Sequence, residues 1–126
     1  MKTCFLTEKG PKAVGPYSTA VTAGGMIYLS GVVPIDPATG KVVEGGIEAE
    51  TAQVLSNLKV IASELGRSLA DAVKVTVFLA DMGDFAKVNA LYKEAFGPQY
   101  PARTCVAVAG LPLGVRIEVE VILQAQ

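Results

Sequence analysis

A chain of 126 residues, 51% of them hydrophobic and 18% charged, carries a formal net charge of -1, two cysteines and no histidine. The length predicts one domain over 1–126, and eleven scattered Lys and Arg at a pI of about 5.4 give no basic patch for nucleic acid. Without a CxxC pair or any histidine, a disulfide scaffold, a zinc site and a redox dithiol are poor readings, and the usual histidine partner of a nucleophile is missing; carboxylates, Arg, Lys, Tyr, thiol and backbone groups remain for any chemistry.

The charged share is below the roughly 25% of an ordinary soluble domain, and mean hydropathy is +0.43. A domain this small leaves much of its surface exposed, so the apolar excess predicts a homo-oligomer. Gly, Pro, Lys or Asp breaks every apolar run before the roughly 18 residues that a membrane span needs. The opening MKTCFLTEKGPK has no apolar region of a secretory signal, and the expectation is a soluble, cytoplasmic protein.

In chain order, residues 17–23 and MIYLSGVV at 26–33 read as two strands joined by a tight turn at Gly24-Gly25. DPATGK at 36–41 is a loop without the spacing of a phosphate-binding loop. Ile47, Thr51, Val54, Leu55, Leu58, Ile61, Ala62 and Leu65 then recur at the spacing of one helix face, stopped by Gly66. AVKVTVFL at 72–79 predicts a strand. Asp84 caps a second helix carrying Phe85, Val88, Leu91, Tyr92, Ala95 and Phe96 on one face, closed by Gly97-Pro98. Strands over roughly 103–109 and 115–123 end the chain. This order predicts an α+β fold in which both helices pack on one face of a single mixed sheet.

The polar residues of the two closing strands stand out. Val115, Ile117, Val119 and Val121 alternate with Arg116, Glu118 and Glu120, the pattern of a half-buried strand. If 103–109 and 115–123 pair as a hairpin around Leu111-Pro112, Arg103 and Cys105 share a face with Glu118 and Glu120. That arrangement is either a structural ion pair or a functional site. Cys105, with no histidine to activate it, reads better as a small buried hydrophobe than as a nucleophile. Tyr17 is either an aromatic strand residue or the hydrogen-bonding wall of a pocket. Ser30-Gly31 interrupts an apolar strand, either marking a bulge or letting a ligand approach the backbone, and Asn89 sits at a polar helix position.

GPYS at 15–18, YLSGVVPIDPATGKVV at 28–43, VKVTVFLADMGDFAKVNALY at 73–92 and, most specifically, PARTCVAVAGLPLGVRIEVEVI at 101–122 resemble the RidA/YjgF family of enamine/imine deaminases over essentially the whole chain. The resemblance implies a homotrimer of chorismate-mutase-like fold with ligand clefts between subunits. It implies hydrolysis of 2-imino acids such as 2-iminopropanoate and 2-iminobutanoate to 2-oxo acids and ammonia, without metal or organic cofactor. By matching position, Arg103 binds the substrate carboxylate, Glu118 acts near the reacting carbon, and the Cys105 backbone lines the cleft, completed by Tyr17, Ser30, Gly31 and Asn89. Two other readings stand beside it: a ribonuclease or translation inhibitor, which the acidic pI and absent histidine disfavour, and a non-catalytic small-carboxylate-binding or chaperone-like protein.

Overall fold

Two glycines with positive φ, Gly24 at 59° and Gly25 at 79°, build the first hairpin, because a side chain at either place would be strained. They join β2 (Ala20–Ala23) to β3 (Met26–Leu29), and β2 also pairs with a short first strand, β1 (Thr3–Phe5). The computed structural model describes residues 1–126. The loop after β3 contains a separate two-stranded ribbon, β4 (Ile35–Asp36) and β5 (Lys41–Val42), so the strands do not all fall in the single sheet expected.

Helix α1 (Gly46–Glu64) buries Ile47, Thr51, Val54, Leu55, Leu58, Ile61 and Ala62, the face its periodicity predicts, and Gly66 follows it with φ 72°. Helix α2 (Phe85–Phe96) lies between β6 (Ala72–Leu79) and β7 (Ala102–Ala107), and β8 (Ile117–Gln124) closes the chain. Asp84 holds the N-cap position of α2 but makes no capping hydrogen bond. Asp81 instead accepts the Gly83 N–H at 2.8 Å, capping the short turn that leads into the helix.

The main sheet runs β1-β2-β3-β8-β6-β7. Val75, Val77, Leu79, Ile117, Val119, Val121 and Leu123 are buried on one side of it and form one core with both helices. Each fully buried aliphatic side chain of this kind contributes about 1.5–3 kcal/mol. The fold is α+β, two helices on a mixed sheet.

The closing hairpin is not formed. Strand β7 runs parallel to β6, with Arg103 opposite Val75 and Cys105 opposite Val77, while β8 pairs antiparallel with the other edge of β6. Helix α2 supplies the crossover that a parallel pair requires, and residues 108–116 then carry the chain across β6. Residues opposite one another share a face. Arg103 and Cys105 therefore lie on the helix-covered face with Val75 and Val77, whereas Glu118, opposite Phe78, lies on the uncovered face. The expected proximity of Arg103 and Glu118 on one face does not occur within the chain.

Candidate functional site

The sequence-predicted residues fall into two clusters. The first surrounds a cavity of about 360 Å³ whose lining includes Tyr17, Ser30, Gly31 and Glu118, together with Lys12 and Leu113. Strand β3 delivers Ser30 and Gly31 to its floor. The Ser30 N–H donates to the Thr19 carbonyl at 2.9 Å, and the Ser30 hydroxyl donates to the Ser18 carbonyl at 2.7 Å. Val32 and Val119 then exchange backbone hydrogen bonds of 2.8 and 3.0 Å, which seats this segment beside Glu118.

Gly31 has a steric reason to be glycine. A Cβ built there would lie 2.8 Å from Glu118 Cδ and 3.2 Å from Cγ, and closer still to the carboxylate oxygen. The missing side chain is the space that the Glu118 carboxyl occupies. Burial pushes the Glu118 pKa above the ordinary carboxylate range, and the charge of Glu120 pushes it the same way. A carboxyl so placed takes up and returns a proton nearer neutrality than an exposed one.

Tyr17 stands at the exposed edge of the cavity, its N–H bonded to the Gly15 carbonyl at 2.9 Å. Leu113 is the one non-glycine residue with positive φ, 59°, and it remains exposed at the cavity rim. Such strain in a non-glycine residue costs of order 1–3 kcal/mol and concentrates at functional sites. Sequence reading gave no signal for Leu113 or Lys12 as lining residues.

The second cluster forms where β7 meets α2. Arg103 donates from Nη1 to Asn89 Oδ1 at 2.7 Å, and its guanidinium lies 4.7 Å from the Tyr92 ring centroid and 5.4 Å from that of Phe85. Phe85, Asn89 and Tyr92 recur at i, i+4 and i+7, so one stripe of α2 makes the whole cradle. The apolar periodicity of α2 marked Phe85 and Tyr92 as core positions; nothing in it identified them as partners of Arg103.

No carboxylate pairs with Arg103, and the one ion pair in the chain joins Arg67 to Asp71 at 4.0 Å. The guanidinium is thus half-buried, held by two rings and a neutral amide, with most of its donors uncommitted. Cys105 is half-buried against the core two residues along β7, and burial raises its thiol pKa although Arg103 acts in the opposite sense. Burial likewise raises the Tyr92 pKa against the effect of Arg103. Arg103, Cys105 and Asn89 do not line the cavity that holds Glu118. No three His, Cys, Asp or Glu side chains gather as metal ligands.

Comparison with known proteins gives a consistent picture. Residues 7–125 match the family model described as endoribonuclease L-PSP. A RutC family protein of Pyrococcus horikoshii is 51% identical over 97% of both chains. A 2-iminobutanoate/2-iminopropanoate deaminase of Bos taurus is 46% identical over 92% of this chain and 85% of its own length. The crystal structure of Escherichia coli TdcF with bound serine is 38% identical, superposes with a TM-score of 0.90, and covers 97% of this chain and 98% of that one.

Proposed function

The chain belongs to the endoribonuclease L-PSP family, the RidA/YjgF family that its sequence resembles, and from that premise we propose that it is a 2-iminobutanoate/2-iminopropanoate deaminase. The observation that carries this reading is Arg103: a half-buried guanidinium with neutral partners and no carboxylate of its own. Such a group is completed by an anionic ligand, and a carboxylate accepts two parallel hydrogen bonds from it. TdcF was crystallised with serine, whose carboxylate sits beside an amine-bearing carbon, the pattern of a 2-imino acid.

In the reaction, Arg103 fixes the substrate carboxylate and so aims the adjacent C=N carbon. Water adds to that carbon of the protonated imine while the Glu118 carboxylate takes one of its protons, giving a carbinolamine. The Glu118 carboxyl returns the proton to nitrogen, the C–N bond breaks to release ammonia, and as the C=O bond forms the hydroxyl proton passes by way of the regenerated Glu118 carboxylate to that ammonia. The balance is 2-imino acid in its iminium form plus water giving 2-oxo acid plus ammonium. The raised Glu118 pKa supports the proton exchange.

Arg103 and Glu118 lie on opposite faces of one sheet, so a site using both draws them from two subunits. A homotrimer meets this requirement, with Arg103, Cys105 and Asn89 from one chain facing Tyr17, Ser30, Gly31 and Glu118 of the next. Tyr28 on the uncovered sheet face and Val106 on edge strand β7 leave 47% and 40% of their surface to solvent, which supports coverage by another copy. We place this activity in the cytoplasm.

The test couples threonine dehydratase to semicarbazide trapping of the released imine. Adding the protein is expected to shorten imine lifetime, and Arg103→Ala to remove the effect. Binding of 2-oxobutanoate without any change in imine lifetime would select a carboxylate-binding protein instead. RNA cleavage lost in Arg103→Ala would select the ribonuclease reading.

A further inference from the structure

A carboxylate outside both clusters is satisfied three times by one loop. Glu64, half-buried in the last turn of α1, accepts the Thr7 hydroxyl on Oε1, and on Oε2 the Glu8 N–H at 2.9 Å and the Lys9 N–H at 3.3 Å. Burial opposes its ionisation, but these three donors and the Lys9 charge hold its pKa below the ordinary range.

The hydrogen bonds continue from Thr7 toward the cavity. Thr7 is buried, its Oγ1 accepts the Gly10 N–H at 2.9 Å, and its own N–H donates to Thr19 Oγ1 at 3.0 Å. The Thr19 carbonyl accepts the Ser30 N–H at 2.9 Å, one residue before Gly31. A connected network thus runs from the end of α1 to the floor of the cleft. Between its anchors, residues 11–17 form neither strand nor helix, yet Pro11, Lys12, Val14 and Tyr17 make one cavity wall. That wall has few hydrogen bonds of its own, Tyr17 N–H to Gly15 at 2.9 Å and a long one from Val14 N–H to the Tyr17 hydroxyl at 3.4 Å. Its position therefore depends on the anchor. Gly10 keeps the anchor close to α1, since a Cβ there would lie 3.1 Å from Ile61 Cγ1, and Ile61 itself lines the cavity.

We propose that Glu64 is a positioning residue for the cleft: by holding residues 7–10 against α1, its carboxylate sets the wall carrying Tyr17 at a fixed distance from Ser30, Gly31 and Glu118. The consequence for turnover rests on the deaminase reading; the anchoring does not. An acceptor-only group suits three converging donors, and an amide at this position would turn an NH2 toward one of them.

The experiment compares wild type with Glu64→Ala, Glu64→Gln and Glu64→Asp by amide hydrogen exchange, by calorimetric 2-oxobutanoate binding, and by KM and kcat in the imine assay. Expected are faster exchange at Tyr17 and Ser30 as well as at residues 8–10 in Glu64→Ala and Glu64→Gln, and a Kd and KM raised roughly tenfold with kcat retained. Glu64→Asp should fall between these variants and wild type. If Glu64→Ala fails to fold, Glu64→Gln decides. Faster exchange confined to residues 8–10, with Tyr17, Ser30 and Kd unchanged, overturns the proposal and leaves Glu64 a structural clamp. A wild type without turnover or binding refutes the deaminase reading alone, since exchange at Tyr17 and Ser30 still decides the anchoring.

Discussion

A site divided between subunits makes a quantitative prediction about mixtures of two inactive variants. Arg103→Ala removes the proposed anchor and Glu118→Gln the proposed proton carrier, so each homo-oligomer should lose roughly a hundredfold or more of the catalysed rate. When the two chains are mixed one to one and assembled at random, a given interface receives its Arg103 from a Glu118→Gln chain half the time. It receives its Glu118 from an Arg103→Ala chain half the time. About a quarter of the interfaces are then complete, and about a quarter of the wild-type rate should return in a cyclic assembly. The geometric basis is the register: Arg103 pairs with Val75 on the helix side and Glu118 with Phe78 on the other. The assay is semicarbazide-trapped imine loss after co-expression of differently tagged chains, with mixing verified by tandem purification. Recovery no greater than the parents' residual activity, in verified hetero-oligomers, would refute the divided site.

Glu120→Gln removes a negative charge that raises the Glu118 pKa; since in the proposed reaction the carboxylate form accepts the water's proton, the acid limb of kcat/KM should move to lower pH, and an upward shift would contradict this assignment. Gly31→Ala sets a methyl group 2.8 Å from Glu118 Cδ and must displace that side chain, with overpacking that costs about 1–3 kcal/mol. Its kcat should fall in a protein that is still folded by circular dichroism, and full activity would show that the Glu118 position is uncritical. Phe85→Leu deletes one ring from the Arg103 cradle; weaker 2-oxo acid binding by about two- to fivefold is expected by calorimetry, from a contribution of about 0.5–1 kcal/mol, and unchanged binding would assign orientation of Arg103 to Asn89 and Tyr92.

Periodicity was sufficient for the helices and for the faces of single strands. The buried alternation of β8 follows its pattern, and so does the apolar stripe of α1 up to Ala62; Leu65 falls at the C-cap and is only partly buried. Periodicity does not reveal which strands are neighbours. Strands β7 and β8 are adjacent in sequence and both rich in valine, which suits a hairpin, yet β6 lies between them. That insertion reverses the relation between Arg103 and Glu118, because a strand's pattern defines its own faces and only register relates them to another strand's. Strand β1, three residues long, is too short to signal itself, and the β4-β5 ribbon lies inside a Pro and Gly loop. Interruption of an apolar strand singled out Gly31 as a bulge or a place for a ligand to approach, but the group that fills the space is the Glu118 carboxyl of the same chain, which the pattern did not indicate. Chemistry was illegible at Glu64, whose partners, one hydroxyl and two backbone N–H groups, lie more than fifty residues away.

Separating Arg103 from Glu118 within the chain also has a chemical consequence for the proposed site. A guanidinium next to Glu118 would favour its ionised form and lower its pKa, the opposite of the direction found. It would also hold a carboxylate permanently, in competition with the one carried by the substrate. Placing the arginine on the helix face, with rings and an amide for partners, leaves most of its donors free. Placing the glutamate on the uncovered face beside Gly31 leaves its proton exchangeable. In the proposed inter-subunit site the two groups would then meet opposite ends of a ligand rather than each other, and the substrate would supply the carboxylate that pairs with Arg103.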